Sequence, residues 1–244
     1  MTGTMGARER RRTEVTAALL AAAKRELART GAAGLSVRAV ARDMDMAPSA
    51  LFRYISGRDE LLTLLIVDAY DDLGDRVEAV EKAVPRSDLR GRWRAIATSF
   101  RDWARVHPHE YALLYGSPVP EYNAPAERTT PSGTRVTNLL AAIGLEELEA
   151  PPRPAIPHMP DATRLSILAA AAGVPTMNGE RLAAGLLAWT ALVGVVSSEL
   201  FEQLGEPVAR LETLFEATVA LGEWLLLGEP QDLSDPLIPG SPTP

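Results

Sequence analysis

At 244 residues, with 46% apolar and 23% charged side chains, the chain has the makeup of a globular protein long enough for one large domain or two small ones. Cysteine is absent, which excludes disulfide scaffolds, cysteine–zinc sites and thiol catalysis. The net charge of −7 is uneven: residues 1–60 carry 11 Lys and Arg against 7 Asp and Glu, which leaves a net of −11 for residues 61–244. A basic head on an acidic body points to a polyanion as the head's partner.

In chain order, the run RERRR at Arg8–Arg12 reads as a basic arm ahead of a first helix over Thr13–Thr30, which Gly31 and Gly34 stop. The apolar run Ala17–Ala23 is at the short limit for a secretory leader, and Lys24, Arg25 and Glu26 follow it at once with no cleavage-like segment, so no leader is expected here. Ser36 caps a second helix whose apolar residues Val37, Val40, Ala41 and Met44 recur at helical spacing. Pro48 opens a third, over Pro48–Ile55, and a fourth is expected over Arg58–Lys82. Asp88–Val106 places Trp93, Ile96, Phe100 and Trp103 on one face. His107-Pro108 breaks that helix, and a short one follows over Glu110–Tyr115.

Gly116–Pro131 reads as a loop and Thr134–Ile143 as a helix. Ala150–Pro160, with five prolines, reads as an irregular connection. Two long helices, over 180–204 and 207–227, close the body, and a proline-rich tail over 229–244 reads as disordered. Leu182–Ser198 is free of charge for 17 residues. With no second such run and no flanking cluster of positive charge, it reads as a buried helix and not a membrane span. No segment alternates with period two, so the fold class is all-α. The domains expected are a basic head over 1–57 and an acidic body over 58–228.

The unit Leu35–Ile55, two short amphipathic helices with a tight turn between them, describes a helix-turn-helix. Its second helix turns Ala47, Leu51 and Ile55 to the core and leaves Ser49, Ala50 and Arg53 outward, flanked by Phe52 and Tyr54; Ala47, at its start, is counted with them among the residues at the DNA. Small Ser and Ala side chains allow close approach to a base edge or a phosphate, and Arg53 can fork onto guanine. Ser36, Arg38 and Arg58 stand at helix starts, where phosphates are held. Solvated arginines on amphipathic helix pairs also occur in proteins that bind no DNA, so the pattern alone leaves both readings open.

The segment LSVRAVARDMDMAPSALFRYISGRDELL resembles the signature of the TetR (tetracycline-repressor) family of bacterial one-component regulators, through Leu35, Ser36, Arg38, Ala41, Leu51-Phe52, Arg58 and Leu61. Two positions depart from that pattern. Asp45-Met46 fills the turn where a small residue and glycine are usual, and Phe52 stands in place of a tyrosine whose hydroxyl would meet a phosphate. Tyr54 is the neighbouring hydroxyl that could substitute. The body, through Trp189, Gly194 and Glu199, is similar to the family's Trp-His-Gly C-terminal subclass, with Val193 where the histidine would stand.

The resemblance implies a homodimeric regulator in the bacterial cytoplasm, with a ligand-responsive repressor expected. Its recognition helices would enter successive major grooves, roughly 34–36 Å apart, on a near-palindromic operator. The last two helices each carry a second apolar face, which suits dimer packing. Trp93, Phe100, Trp103, Tyr111, Tyr115 and Trp189 are the candidates for a pocket holding a small apolar or aromatic effector. An activator, or a protein-binding helical module without an effector, is the alternative. No metal site is expected from His107, His109 and His158, and no cofactor or catalytic motif is found, so the chain does not read as an enzyme.

Overall fold

The computed structural model describes residues 6–146, 179–205 and 211–228. The expectations for 150–160, 207–210 and 229–244 lie outside these. Among the described residues every regular element is a helix. In chain order these are α1 (Ala7–Thr30), α2 (Val37–Asp43), α3 (Pro48–Leu51), α4 (Arg58–Lys82), α5 (Leu89–Val106), α6 (Pro108–Tyr115), α7 (Ala126–Gly133), α8 (Arg135–Glu146), α9 (Gly179–Leu200) and α10 (Leu211–Leu227).

Three elements differ from the sequence reading. The helix α1 starts at Ala7, so the basic run is its first turns and not an arm; Arg and Glu are good helix formers, and the Arg10 N–H closes on the Gly6 carbonyl at 3.0 Å. The third helix is regular only to Leu51. Its turn continues more loosely, with Phe52 N–H donating to Pro48 O at 3.2 Å and Ile55 N–H to Leu51 O at 3.3 Å. The stretch expected as a loop over Gly116–Pro131 contains most of α7, which carries Pro131 inside it.

The chain packs as two compact units, 1–79 with 99–136 and 80–98 with 137–244. The division therefore falls inside α4, α5 and α8.

In the first unit, Leu19, Ala22, Ala23 and Leu27 of α1, Val37, Val40 and Ala41 of α2, Leu51 and Ile55, and Leu61, Leu62 and Leu65 of α4 form one buried core. Lys24 of α1 pairs with Asp68 of α4 at 2.6 Å. Burial works against the ammonium, but the hydrogen bond and charge of Asp68 outweigh it and hold the lysine above its ordinary pKa. Arg135, opening α8, lies across α4 at Gly74. Its Nε donates to Glu78 at 2.8 Å and its Nη2 to Asp75 at 2.6 Å, while Nη1 donates to the Asp71 carbonyl at 3.1 Å. A Cβ at position 74 would lie 2.6 Å from Arg135 Nε, so the guanidinium takes this path over the helix because glycine stands there, and would have to shift for a larger residue. The Arg135 hydrogen bond holds the Glu78 carboxyl below its usual range.

In the second unit α9 and α10 pack side by side. The inward row of α9 is Ala183, Ala184, Ala188, Leu192, Val195 and Val196. Leu186 and Leu187 of α9 are about half exposed, at 47% and 46%. The helix α9 is the one long and apolar enough, among the described residues, to cross a membrane by length and composition. Buried Trp93 of α5 donates its indole N–H to the Val219 carbonyl of α10 at 2.8 Å, and buried Glu223 accepts from Arg90 and Arg94 at 2.7 and 2.8 Å. Buried Arg92 is paired with buried Glu81.

At Gly222 an added Cβ would fall 2.2 Å from Trp93 Cζ2, a rigid ring atom. Gly222→Ala should therefore cost about 1–3 kcal/mol by overpacking, read as a lower midpoint of urea unfolding.

Candidate nucleic-acid interface

The helix α2 begins where Ser36, extended at φ −125°, accepts the Ala39 N–H on its Oγ at 3.4 Å. Its inward residues Val37, Val40 and Ala41 are buried and Arg38 and Arg42 point to solvent. The turn that follows is closed by Met46 N–H on Ala41 O at 2.9 Å and passes through Asp45 at φ 52°. That is the left-handed conformation for which glycine is the usual residue, and a short aspartate is among the few side chains that tolerate it. Across the same junction Arg25 of α1 donates to Asp43 at the end of α2, its Nε at 3.0 Å.

Pro48 at the first turn presets α3, and Leu51 and Ile55, both buried, anchor it. Ala47, which the apolar pattern assigns to the core, instead stands outward with Pro48, Ser49, Phe52 and Arg53, because as N-cap of α3 it precedes the helical face; Ala50 is half-buried. Tyr54 packs against the core of the head and does not stand free beside Phe52. Among the described residues, Arg38, Arg42 and Arg53 carry no ion pair. Arg58 is placed otherwise: half-buried, its Nη2 donates to the carbonyls of Ala32 and Ala33, both at 3.1 Å, and so ties the α1–α2 turn to the start of α4. Ser36, Arg38, Ala47, Ser49, Ala50, Phe52 and Arg53 thus lie on one short helix-turn-helix, with Arg58 partly engaged inside the protein.

The aromatic candidates divide between the units. In the first, Phe100 and Tyr111 meet at 5.9 Å between ring centroids, Phe100 and Tyr115 at 5.5 Å, and Tyr111 and Tyr115 at 5.0 Å. Tyr70 of α4 joins Tyr115 edge-on at 6.4 Å. Tyr70 was not selected from the sequence. It lies in α4, 45 residues before Tyr115, and no local spacing joins the two. Burial raises the pKa of both the Tyr70 and Tyr115 hydroxyls. Trp103 donates to Asp72 at 2.7 Å and stacks on His107. Trp93 and half-buried Trp189 belong to the second unit. A cleft of about 240 Å³ opens between the end of α1 and α6, lined among others by Leu27, Thr30, His109, Leu113 and Val119. None of the six aromatic candidates lines it. Among the described residues no cluster of His, Asp and Glu is arranged to hold a metal ion.

Residues 19–65 match the family model described as bacterial regulatory proteins, tetR family, and residues 93–221 match that of the tetracyclin repressor-like C-terminal domain. HTH-type transcriptional regulators of Mycobacterium bovis and Mycobacterium tuberculosis are each 38% identical over 205 residues, which is 82% of this chain and 87% of theirs. The crystal structure of the regulatory protein SCO4313 is 31% identical and superposes with a TM-score of 0.71, covering 88% of this chain and 98% of its own. A protein from Rhodococcus sp. RHA1, 22% identical, shares the fold at a TM-score of 0.63 over 87% of this chain and 95% of its own.

The left-handed residue in the turn gives a direct test of how the interface is set. Asp45→Gly should be tolerated, because glycine adopts that conformation without strain. Asp45→Val should cost at least about 1–2 kcal/mol in unfolding free energy and weaken DNA binding with it.

Proposed function

The chain belongs to the tetR family of bacterial regulatory proteins and is a DNA-binding transcriptional regulator, and from that premise we propose a repressor that a small molecule releases from a near-palindromic operator. The family is one of regulators, not enzymes, whose members bind DNA operators and act as dimers. The observation that carries the reading is the outward surface of the recognition turn, where small Ala47 and Ser49 flank an unpaired, exposed Arg53.

In this reading the head spans 1–57 and the regulatory body 58–228. Arg53 enters the major groove and forks onto a guanine, Ala47, Ser49 and Ala50 permit close approach, and Arg38 and the Ser36-capped start of α2 sit on phosphates. Arg58 keeps Nε and Nη1 for a phosphate while Nη2 holds the turn. Tyr54, turned to the core, contributes position more than contact. The protein works in the bacterial cytoplasm, at the nucleoid.

The effector site draws on Phe100, Tyr111 and Tyr115, whose rings gather with Tyr70, and on Trp103. Rings at these separations suit an apolar or aromatic effector. Trp93 commits its indole N–H to the Val219 carbonyl, so its part is in the second unit's packing. The effector shifts the protein from DNA only by binding the released state more tightly. The dimer forms through α9 and α10, whose exposed Leu186, Leu187, Leu214 and Leu221 leave an apolar surface for a second copy.

Two measurements check these assignments. In binding titrations against a selected operator, Arg38→Ala should weaken all sequences alike and reduce the salt slope by about one. Arg53→Ala should instead cost about 1–3 kcal/mol on the preferred base and relax the preference. For the dimer, sedimentation of the Leu187→Arg, Leu221→Arg variant should report a folded monomer. A dimer persisting there would place the interface elsewhere.

A further inference from the structure

Phe52 is 53% exposed, the only large apolar side chain this exposed among the described residues up to 79. It sits at the C-cap of α3 in helical conformation, φ −63° and ψ −5°, and its N–H donates to Pro48 O. That bond puts Phe52 on the face of Pro48 and Ser49, four and three residues before it, and both are exposed. Arg53 follows directly. The outward tip of the recognition turn therefore combines an apolar patch, Pro48 with Phe52, and one cation.

A phenyl ring has no donor for a phosphate, and pressing it on one would strip water from an anion without returning a hydrogen bond. In the major groove the apolar feature of a base-pair edge is the thymine C5-methyl, a recognised partner for Ala and Phe side chains. We infer that Phe52 is a specificity-determining residue that reads a thymine in each operator half-site by packing its ring on that C5-methyl, beside the guanine read by Arg53. This rests on the proposed operator binding and deepens it. The missing hydroxyl then exchanges a sequence-blind phosphate contact for a sequence-selective apolar one.

The test replaces each thymine of the operator, selected with the full-length protein, by deoxyuridine. This removes one methyl and leaves pairing and phosphates intact. Fluorescence anisotropy should find one thymine per half-site whose replacement weakens binding about fourfold, the equivalent of one buried methyl group. Phe52→Ala should bind the thymine operator more weakly and be indifferent to that replacement, with an unchanged salt slope because no charge is lost. Phe52→Leu, which keeps an apolar side chain, should retain part of the methyl dependence. Thermal unfolding by circular dichroism should show both variants folded, since the ring is outside the core. Equal effects of deoxyuridine on wild type and Phe52→Ala, or unaltered affinity of Phe52→Ala, would overturn the inference while leaving operator binding in place. Failure to select any duplex would instead overturn the operator reading on which it rests.

Discussion

The burial of Leu51 and Ile55 in the same core as Leu61, Leu62 and Leu65 is the constraint on which the interface depends. A regular helix of four residues has no stability of its own, because helices much shorter than about 12–15 residues are marginal in water. The recognition turn exists because two apolar side chains pin it to the head's core, and α4 supplies part of that core. The outward residues inherit their positions from this anchoring. Where Ser49, Phe52 and Arg53 point is decided by what Leu51 and Ile55 bury.

The helix α4 is in turn held by its acidic face. Asp68 pairs with Lys24 of α1, Asp72 accepts from Trp103 of α5, and Asp71, Asp75 and Glu78 converge on Arg135 of α8. Individually, pairs this exposed contribute about 0–1 kcal/mol. Together, on one face, they fix the rotation of α4 more than they stabilise the protein, because a turn of the helix about its axis would break them all. Arg58 and the core residues of its first turns carry that orientation into the head. An effector acting on Tyr70 and Tyr115 would act beside this same row of carboxylates.

Much of this was legible in the sequence, and the limits have physical causes. Helical periodicity and caps placed α2 and α4, since Ser36, Val37, Val40 and Ala41 obey local rules that tertiary structure did not override. The beginning of α1 was missed because charged residues were read as an arm, although Arg and Glu favour helix as well as solvent. The helix α7 was missed because Pro131 argues against a helix interior, and only its surroundings hold that segment in place. The outward placing of Ser49, Phe52 and Arg53 followed from pattern, whereas Ala47 and Tyr54 fall the other way, because the helix is regular only from Pro48 to Leu51 and its helical periodicity does not reach them. The engagement of Arg58 did not follow from pattern, because the carbonyls of Ala32 and Ala33 are 26 and 25 residues away and no local spacing links them. Gly74 likewise carries meaning only once Arg135 is seen lying over it.

The charge asymmetry can now be resolved into positions. Of the head's cations, Lys24 is paired with Asp68, Arg25 with Asp43 and Arg29 with buried Glu26, while Arg58 serves backbone carbonyls. These four lie along the later turns of α1 and the start of α4, where they hold the head together. Among the described residues, Arg11, Arg12, Arg38, Arg42 and Arg53 carry no such partner and are exposed. Internal pairing therefore removes positive charge from the inner side of the head and leaves it on the first turns of α1 and on the helix-turn-helix. A modest net excess is thus expressed as exposed, unpaired arginines on these two elements, and such a distribution suits a polyanion as partner.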